Sequence, residues 1–195
     1  WNKAQESLQL HEMARTTDHP LSSKGRKQAE ALCQRLAKAA KQGDAAVEQM
    51  FHPEAVYVSP LSRAIQTAVI ALGPTVTERT GLGEMVLMAN AREKQNFGGL
   101  DTQSTKIGAD VLQNSLDELR ALYDGEDQKV IDTFARLRFD ARDVEDKWWF
   151  DGMAESSSEL KARMNEFMSQ LLYSPHRSIV VVGHSHFFRA VLKTF

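Results

Sequence analysis

The stretch Ser178-Ile-Val-Val-Val-Gly-His-Ser-His-Phe-Phe-Arg-Ala-Val-Leu-Lys-Thr-Phe195 decides how this chain is read. Ile179 to Val182 are four consecutive β-branched residues with no polar alternation, the pattern of a strand covered on both faces in a parallel sheet. Gly183 closes the run and lets the backbone turn tightly. Phe187, Phe188, Ala190, Val191 and Leu192 then indicate a packed helix. His184, Ser185 and His186 are left at the carboxyl end of a buried strand, where loops and helix N-termini converge and open α/β sheets bind their ligands. A histidine so placed is either a hydrogen-bonded structural group or a functional imidazole. Metal binding is a third reading, because His-x-His on a strand turns both rings to one face. Against it, His11, His19, His52 and His176 are scattered singly and no Cys/His/Asp cluster stands at ligand spacing, so no metal is expected.

Two further units upstream repeat the strand-then-site pattern. Ala55-Val-Tyr-Val58 reads as a short buried strand and runs at once into Ser59-Pro-Leu-Ser-Arg-Ala-Ile-Gln-Thr-Ala68. Ser59 as N-cap and Pro60 as first helical residue make a helix start, with Ala64, Ile65, Ala68, Val69 and Leu72 as its inner stripe. Arg63 then stands in the first turn, able to lean toward an anion held by free amide groups. Met85-Val-Leu-Met88 reads as the next strand and leads into a loop that carries Arg92, Glu93 and Gly98-Gly99. A carboxylate such as Glu93, partly desolvated, serves as a proton donor. A cation, an acid and an imidazole at three strand ends suit the handling of a phosphate ester. No Walker loop, kinase signature, dinucleotide fingerprint or Gly-x-Ser-x-Gly elbow points elsewhere.

The rest of the chain frames these units. Ser22 is an N-cap for a helix running to about Ala40, with Ala29, Leu32, Cys33, Leu36 and Ala40 on one face and Gly43-Asp44 at its end. From Ser104 to Phe150 the pattern is mainly helical, with Leu112, Leu116, Leu119 and Leu122 in one stripe, and residues 104–150 read as a helical cap or insertion. Ser156 to Leu172 is an amphipathic helix that precedes the His184 strand. The expected architecture is a three-layer α/β/α sandwich around a mostly parallel sheet, with residues 1–195 as a single domain.

Composition narrows the functional classes. A chain of 195 residues suits one domain with a substantial core, and 42% hydrophobic with 26% charged residues is ordinary for a globular protein. A net charge of −2 argues against a nucleic-acid-binding surface. No apolar run approaches the roughly 18 residues of a membrane span. Cys33 is the single cysteine, which rules out an internal disulfide and favours a reducing compartment, cytoplasm or organelle interior.

Four ordered segments resemble the histidine phosphatase superfamily, also called phosphoglycerate mutase-like. They are Asp18-His-Pro-Leu-Ser-Ser-Lys-Gly-Arg-Lys-Gln-Ala29, the Ser59 to Ala68 segment, Glu155 to Arg163, and Val182-Gly-His-Ser-His186. The resemblance implies that Arg63 binds phosphate, that His184 is the second histidine of the pocket, and that Glu93 donates a proton. It also implies phosphate contacts from Ser185 and from Asn2, since Trp1-Asn2 resembles the end of the family's first motif. The Arg-His pair of that motif, which supplies the phospho-accepting nucleophile, is absent from the residues given, and the natural chain is expected to begin upstream of Trp1. The implied activity is hydrolysis of a phosphomonoester, on a small molecule or a phosphoprotein, through a phosphohistidine and without a cofactor. The alternatives are mutase-type phosphoryl transfer and a non-catalytic family member acting as a binding or assembly subunit.

Overall fold

The structure, a computed structural model, describes residues 16–43, 53–78, 84–96 and 99–195. Its elements are α1 (Ser23–Lys41), β1 (Ala55–Val58), α2 (Ser62–Glu78), β2 (Glu84–Leu87), α3 (Ala109–Tyr123), α4 (Gln128–Arg136), β3 (Arg138–Asp140), α5 (Ser157–Leu172), β4 (Ile179–Val182) and α6 (Ser185–Thr194). The four strands form one parallel sheet in the order β3-β2-β1-β4. Short strands of branched residues pair in parallel when helical crossovers cover both faces. The α/β architecture expected from the sequence is therefore the one observed.

Alternation along the strands sorts side chains into two cores. Val56, Val58, Met85 and Leu87 face a cluster that includes Ala64, Ile65, Ala68 and Val69 of α2, Leu119 of α3 and Phe134 of α4. Tyr57 and Val181 pack against the other cluster, made by Leu160, Met164 and Phe167 of α5 with Phe187 and Val191 of α6. Strand β4 contributes to both, Val180 and Val182 to the first and Val181 to the second. Its four residues are nevertheless only half-buried, where the sequence suggested full cover. The reason is position: among the described residues β4 pairs with β1 alone and so lies at the sheet edge.

Local chemistry explains the helix ends. Ser22 caps α1 by accepting from the Gly25 N–H, and Gly43 follows the helix at φ +72°, a left-handed conformation that glycine adopts without a Cβ clash. Helix α5 starts with a reciprocal capping box, in which the Ser156 hydroxyl accepts from the Glu159 N–H and the Glu159 carboxylate accepts from the Ser156 N–H. The mainly helical block 104–150 also holds a strand, because Arg138–Asp140 pair with β2 as strand β3. A run of three residues is too short to show strand periodicity, and only the exposed edge of β2 selects it. Gly183 makes the tight turn expected after β4 without a left-handed conformation. A Cβ there would stand 2.7 Å from the Phe188 ring and 3.2 Å from the Ala91 carbonyl oxygen, so glycine is needed for close approach and not for φ.

Candidate active site

The carboxyl ends of β1, β2 and β4 lie side by side because those strands are neighbours in the sheet. Residues that follow them line a shared cavity of about 270 Å3: Arg63 after β1, Glu93 after β2, and Gly183, His184 and Ser185 after β4, together with Leu21, Ala64 and Thr67. Arg63, Glu93, His184 and Ser185 are thus brought together. Asn2 and Gly98 lie outside the described residues.

His184 is the N-cap residue of α6 and is 7% exposed. Its Nε2 lies 2.8 Å from the Ser59 Oγ. Burial pushes its pKa down to about 3, and the nearby cations of Arg63 and Arg163 push in the same direction. The ring is therefore neutral at physiological pH, with Ser59 holding one nitrogen. His186, two residues on, is exposed. The two rings do not share a face because the chain is already helical from Ser185, so the strand geometry behind a His-x-His metal site does not apply. Among the described residues no group of three or more His, Cys, Asp or Glu side chains converges.

Ser59 keeps only part of the cap role expected of it, its Oγ accepting from the Leu61 N–H at 3.4 Å. Helix α2 begins at Ser62 and not at Pro60. The helix end is closed by Asp18, whose Oδ1 accepts from the Ser62 N–H at 2.8 Å and whose Oδ2 accepts from the Ser62 hydroxyl at 3.0 Å. A carboxylate at a helix N-terminus gains from the orphan amide and the dipole, and this one arrives from a segment 44 residues away. The Ser59 hydroxyl, with only that 3.4 Å contact from the Leu61 N–H, meets His184 at 2.8 Å. Nothing in the sequence around Asp18 marks this role, since a cap from outside the helix leaves no local signature.

Arg63 follows the capped residue. Its Nη1 donates to the Asp101 carbonyl oxygen at 2.7 Å, and its Nη2 lies 3.8 Å from the Asp101 carboxylate. The Asp101 contacts hold the fork at one wall, and the half-buried side chain lines the cavity. Glu93 stands opposite. Its Oε1 accepts from the Phe187 N–H at 2.9 Å and from the Lys94 N–H at 2.8 Å, so the carboxylate sits against the first turn of α6.

The segment bearing Glu93 is held from behind by a buried ion pair. Glu155 takes a two-pronged contact from Arg163, Nε to Oε1 at 2.7 Å and Nη2 to Oε2 at 2.6 Å, with side-chain exposures of 1% and 4%. Arg92 adds a third contact to Glu155 at 3.4 Å, and the Gln95 N–H donates to Glu155 Oε2 at 3.0 Å. Burial alone would raise the Glu155 pKa, but the hydrogen bonds and charge of Arg163 bring it below the ordinary value. Arg92 falls to about 10, chiefly through burial and then through the like charge of Arg163.

A larger hollow of about 480 Å3 lies on the sheet face that carries Tyr57, bordered by Val86, Asp140, Asp143 and Gln170. Its charged groups are already engaged: Asp140 by Arg142, and Asp143 by the Ala89 N–H. The smaller cavity is the one where a cation, an acid and an imidazole converge.

Asp18 gives the site a measurable pH signature. Burial raises its pKa to about 7 against the bonds from Ser62, with Glu118 adding a like charge and Arg63 opposing it. A folded-state pKa above the unfolded one stabilises the fold below about pH 4, and the contribution is lost as pH rises through 7. Asp18→Asn keeps an acceptor for the Ser62 N–H and removes the buried charge. It is expected to gain stability over the parent between pH 5 and 8, by about 2–4 kcal/mol in urea unfolding. Asp18→Ala leaves that N–H without its acceptor and is expected to lose about 1–2 kcal/mol at pH 5.

Residues 4–95 match the family model of the histidine phosphatase superfamily (branch 1), just under half of the chain. The match bears out the resemblance read from the sequence, and it takes in Asp18, Arg63 and Glu93. His184, Ser185 and the Glu155 to Arg163 segment lie beyond it. No curated protein and no solved structure matches the chain. Among the described residues no helix is long and apolar enough to cross a membrane.

Proposed function

We propose that this chain belongs to the histidine phosphatase superfamily and hydrolyses phosphomonoesters through a phosphohistidine intermediate. Membership supports phosphatase- or mutase-type phosphoryl transfer in general. The observation that carries the hydrolase reading is the convergence of Arg63, Glu93 and His184 on one cavity at the carboxyl edge of three adjacent parallel strands.

In this reading Arg63 holds two equatorial oxygens of the phosphoryl group with its planar fork, and the α6 amides ahead of Phe187, those of Ser185 and His186, face the same anion. The accepting histidine is the one expected upstream of Trp1, on a strand that would pair with the edge of β4 that has no partner among the described residues. Its ring nitrogen forms a bond to phosphorus as the bond to the leaving oxygen breaks. His184, neutral and oriented by Ser59, donates a hydrogen bond to the transferring group. Glu93 gives its proton to the leaving alkoxide. With Oε1 accepting two N–H groups, Oε2 is the oxygen that carries this proton. Water then attacks phosphorus, returns a proton to Glu93, and frees phosphate and the histidine. The substrate is a small phosphorylated molecule or a phosphoprotein.

Rapid mixing of the full chain with a 32P-labelled phosphomonoester, followed by quenching, tests this. Label that is stable in alkali and lost in acid supports the phosphohistidine. Regeneration of a phosphorylated product from 3-phosphoglycerate with a bisphosphate primer indicates the mutase. Phosphate binding with no label and no turnover leaves a binding subunit.

A further inference from the structure

We propose that Glu155 and Arg163 are a positioning pair for the active site, fixing the Glu93 segment against the first turn of α6 so that Glu93 and His184 keep their relative places. The inference rests on the phosphatase reading for its kinetic consequence, whereas the positioning itself has a separate readout.

Arg163 touches both sides of the arrangement. From α5 its Nη1 donates to the Asn90 carbonyl oxygen at 3.0 Å and to the Arg92 carbonyl oxygen at 2.9 Å, the residues that lead into Glu93. Its guanidinium lies over the Phe187 ring, 4.5 Å from the centroid, and Phe187 is the residue whose N–H donates to Glu93. Glu155 completes the frame, since its carboxylate accepts from the Gln95 N–H and its own N–H donates to the Gln95 carbonyl at 3.1 Å. Backbone on either side of Glu93 is therefore pinned to one buried ion pair. The same cation rests on the helix whose cap is His184. Neither Glu155 nor Arg163 lines the cavity, so their effect on a substrate passes through the residues they hold.

This arrangement is more than a stabilising contact. A buried ion pair is weak evidence for stability, because desolvation offsets much of the attraction. Six directional bonds, two between Arg163 and the Glu155 carboxylate and four to the backbone of Asn90, Arg92 and Gln95, do specify position, and a misplacement of about 1 Å at a reacting group costs about a hundredfold in rate.

The test uses the full chain with Arg163→Met, Arg163→Lys and Glu155→Gln. Arg163→Met is expected to lower kcat for p-nitrophenyl phosphate about a hundredfold while KM stays within about twofold, because Arg63 lies on α2 and is untouched. Arg163→Lys keeps the charge beside Glu155 but cannot reach both carbonyls, and is expected to recover part of the loss. If Arg163→Met does not fold, Arg163→Lys and Glu155→Gln carry the measurement. The second readout is the Phe187 amide: its hydrogen exchange is expected to speed up about tenfold in the Arg163 variants, matching Glu93→Ala, as one hydrogen bond loosens. Loss of thermal stability with kcat and the Phe187 amide unchanged overturns the proposal. An inactive parent chain sinks the phosphatase reading alone, and the Phe187 amide then decides whether the pair positions Glu93.

Discussion

Replacing His184 by Gln is expected to lower phosphomonoester turnover by about 10²- to 10³-fold, the range for removing one preorganised donor from a transition state. The imidazole is neutral in the fold because burial, Arg63 and Arg163 all disfavour its charged form. A neutral ring fixed by Ser59 offers one N–H without a counter-charge and without reorganisation when the phosphoryl group moves. Gln is of similar length and still reaches Ser59, so the loss falls on kcat more than on folding. The same residue sets a stability profile. Its folded-state pKa lies below the unfolded value, so its contribution is present above about pH 6.5 and is lost as pH falls toward 3. His184→Gln removes this term, worth at most roughly 5 kcal/mol, and should flatten the loss of stability between pH 6.5 and 4. Urea unfolding at several pH values together with initial-rate kinetics checks both statements. Unchanged turnover would exclude His184 from the reaction.

Arg63→Gln is expected to weaken binding of inorganic phosphate by about 10- to 200-fold, the value of a charge-assisted hydrogen bond, and to lower kcat/KM by at least as much. Asp101 makes the comparison with Arg63→Lys informative. Its carbonyl oxygen takes one arm of the guanidinium and its carboxylate stands near the other, which orients the planar fork toward the cavity. Lysine supplies a point charge that cannot divide itself between Asp101 and an anion, so Arg63→Lys should recover little of the affinity. Isothermal titration with phosphate separates these cases. Equal affinity in all three chains would remove Arg63 from the site.

The comparison of sequence and structure turns on which interactions are local. The strand at 179–182 was legible as an unbroken branched run and that at 55–58 as a short apolar one, and α1 and α5 as periodic stripes, the first with its serine cap. These signals arise from backbone and side-chain preferences within a few residues. Arg63, Glu93 and His184 were legible as chemical types at strand ends, because a parallel sheet puts all such ends on one edge. Ser59 looked like a helix cap for the same local reason; it does accept from the Leu61 N–H, but the helix starts later, at Ser62. Asp18 competes for that helix end from a distant loop, and the hydroxyl then meets His184, 125 residues further on. Strand β3 was missed because three residues carry no period, and β4 looked more enclosed than it is because apolar composition does not report position in the sheet.

By itself, then, the sequence determined the class of fold, the helix and strand cores, and the residue types offered at the sheet edge, since each follows from short-range pattern and chemistry. Tertiary structure alone decided the partners: Asp18 on Ser62, Ser59 on His184, Asp101 on Arg63, and Glu155 with Arg163 behind Glu93. Those pairings depend on which buried donors and acceptors come within about 3 Å of each other, and hydrogen bonds at that range are selected by the packed chain as a whole.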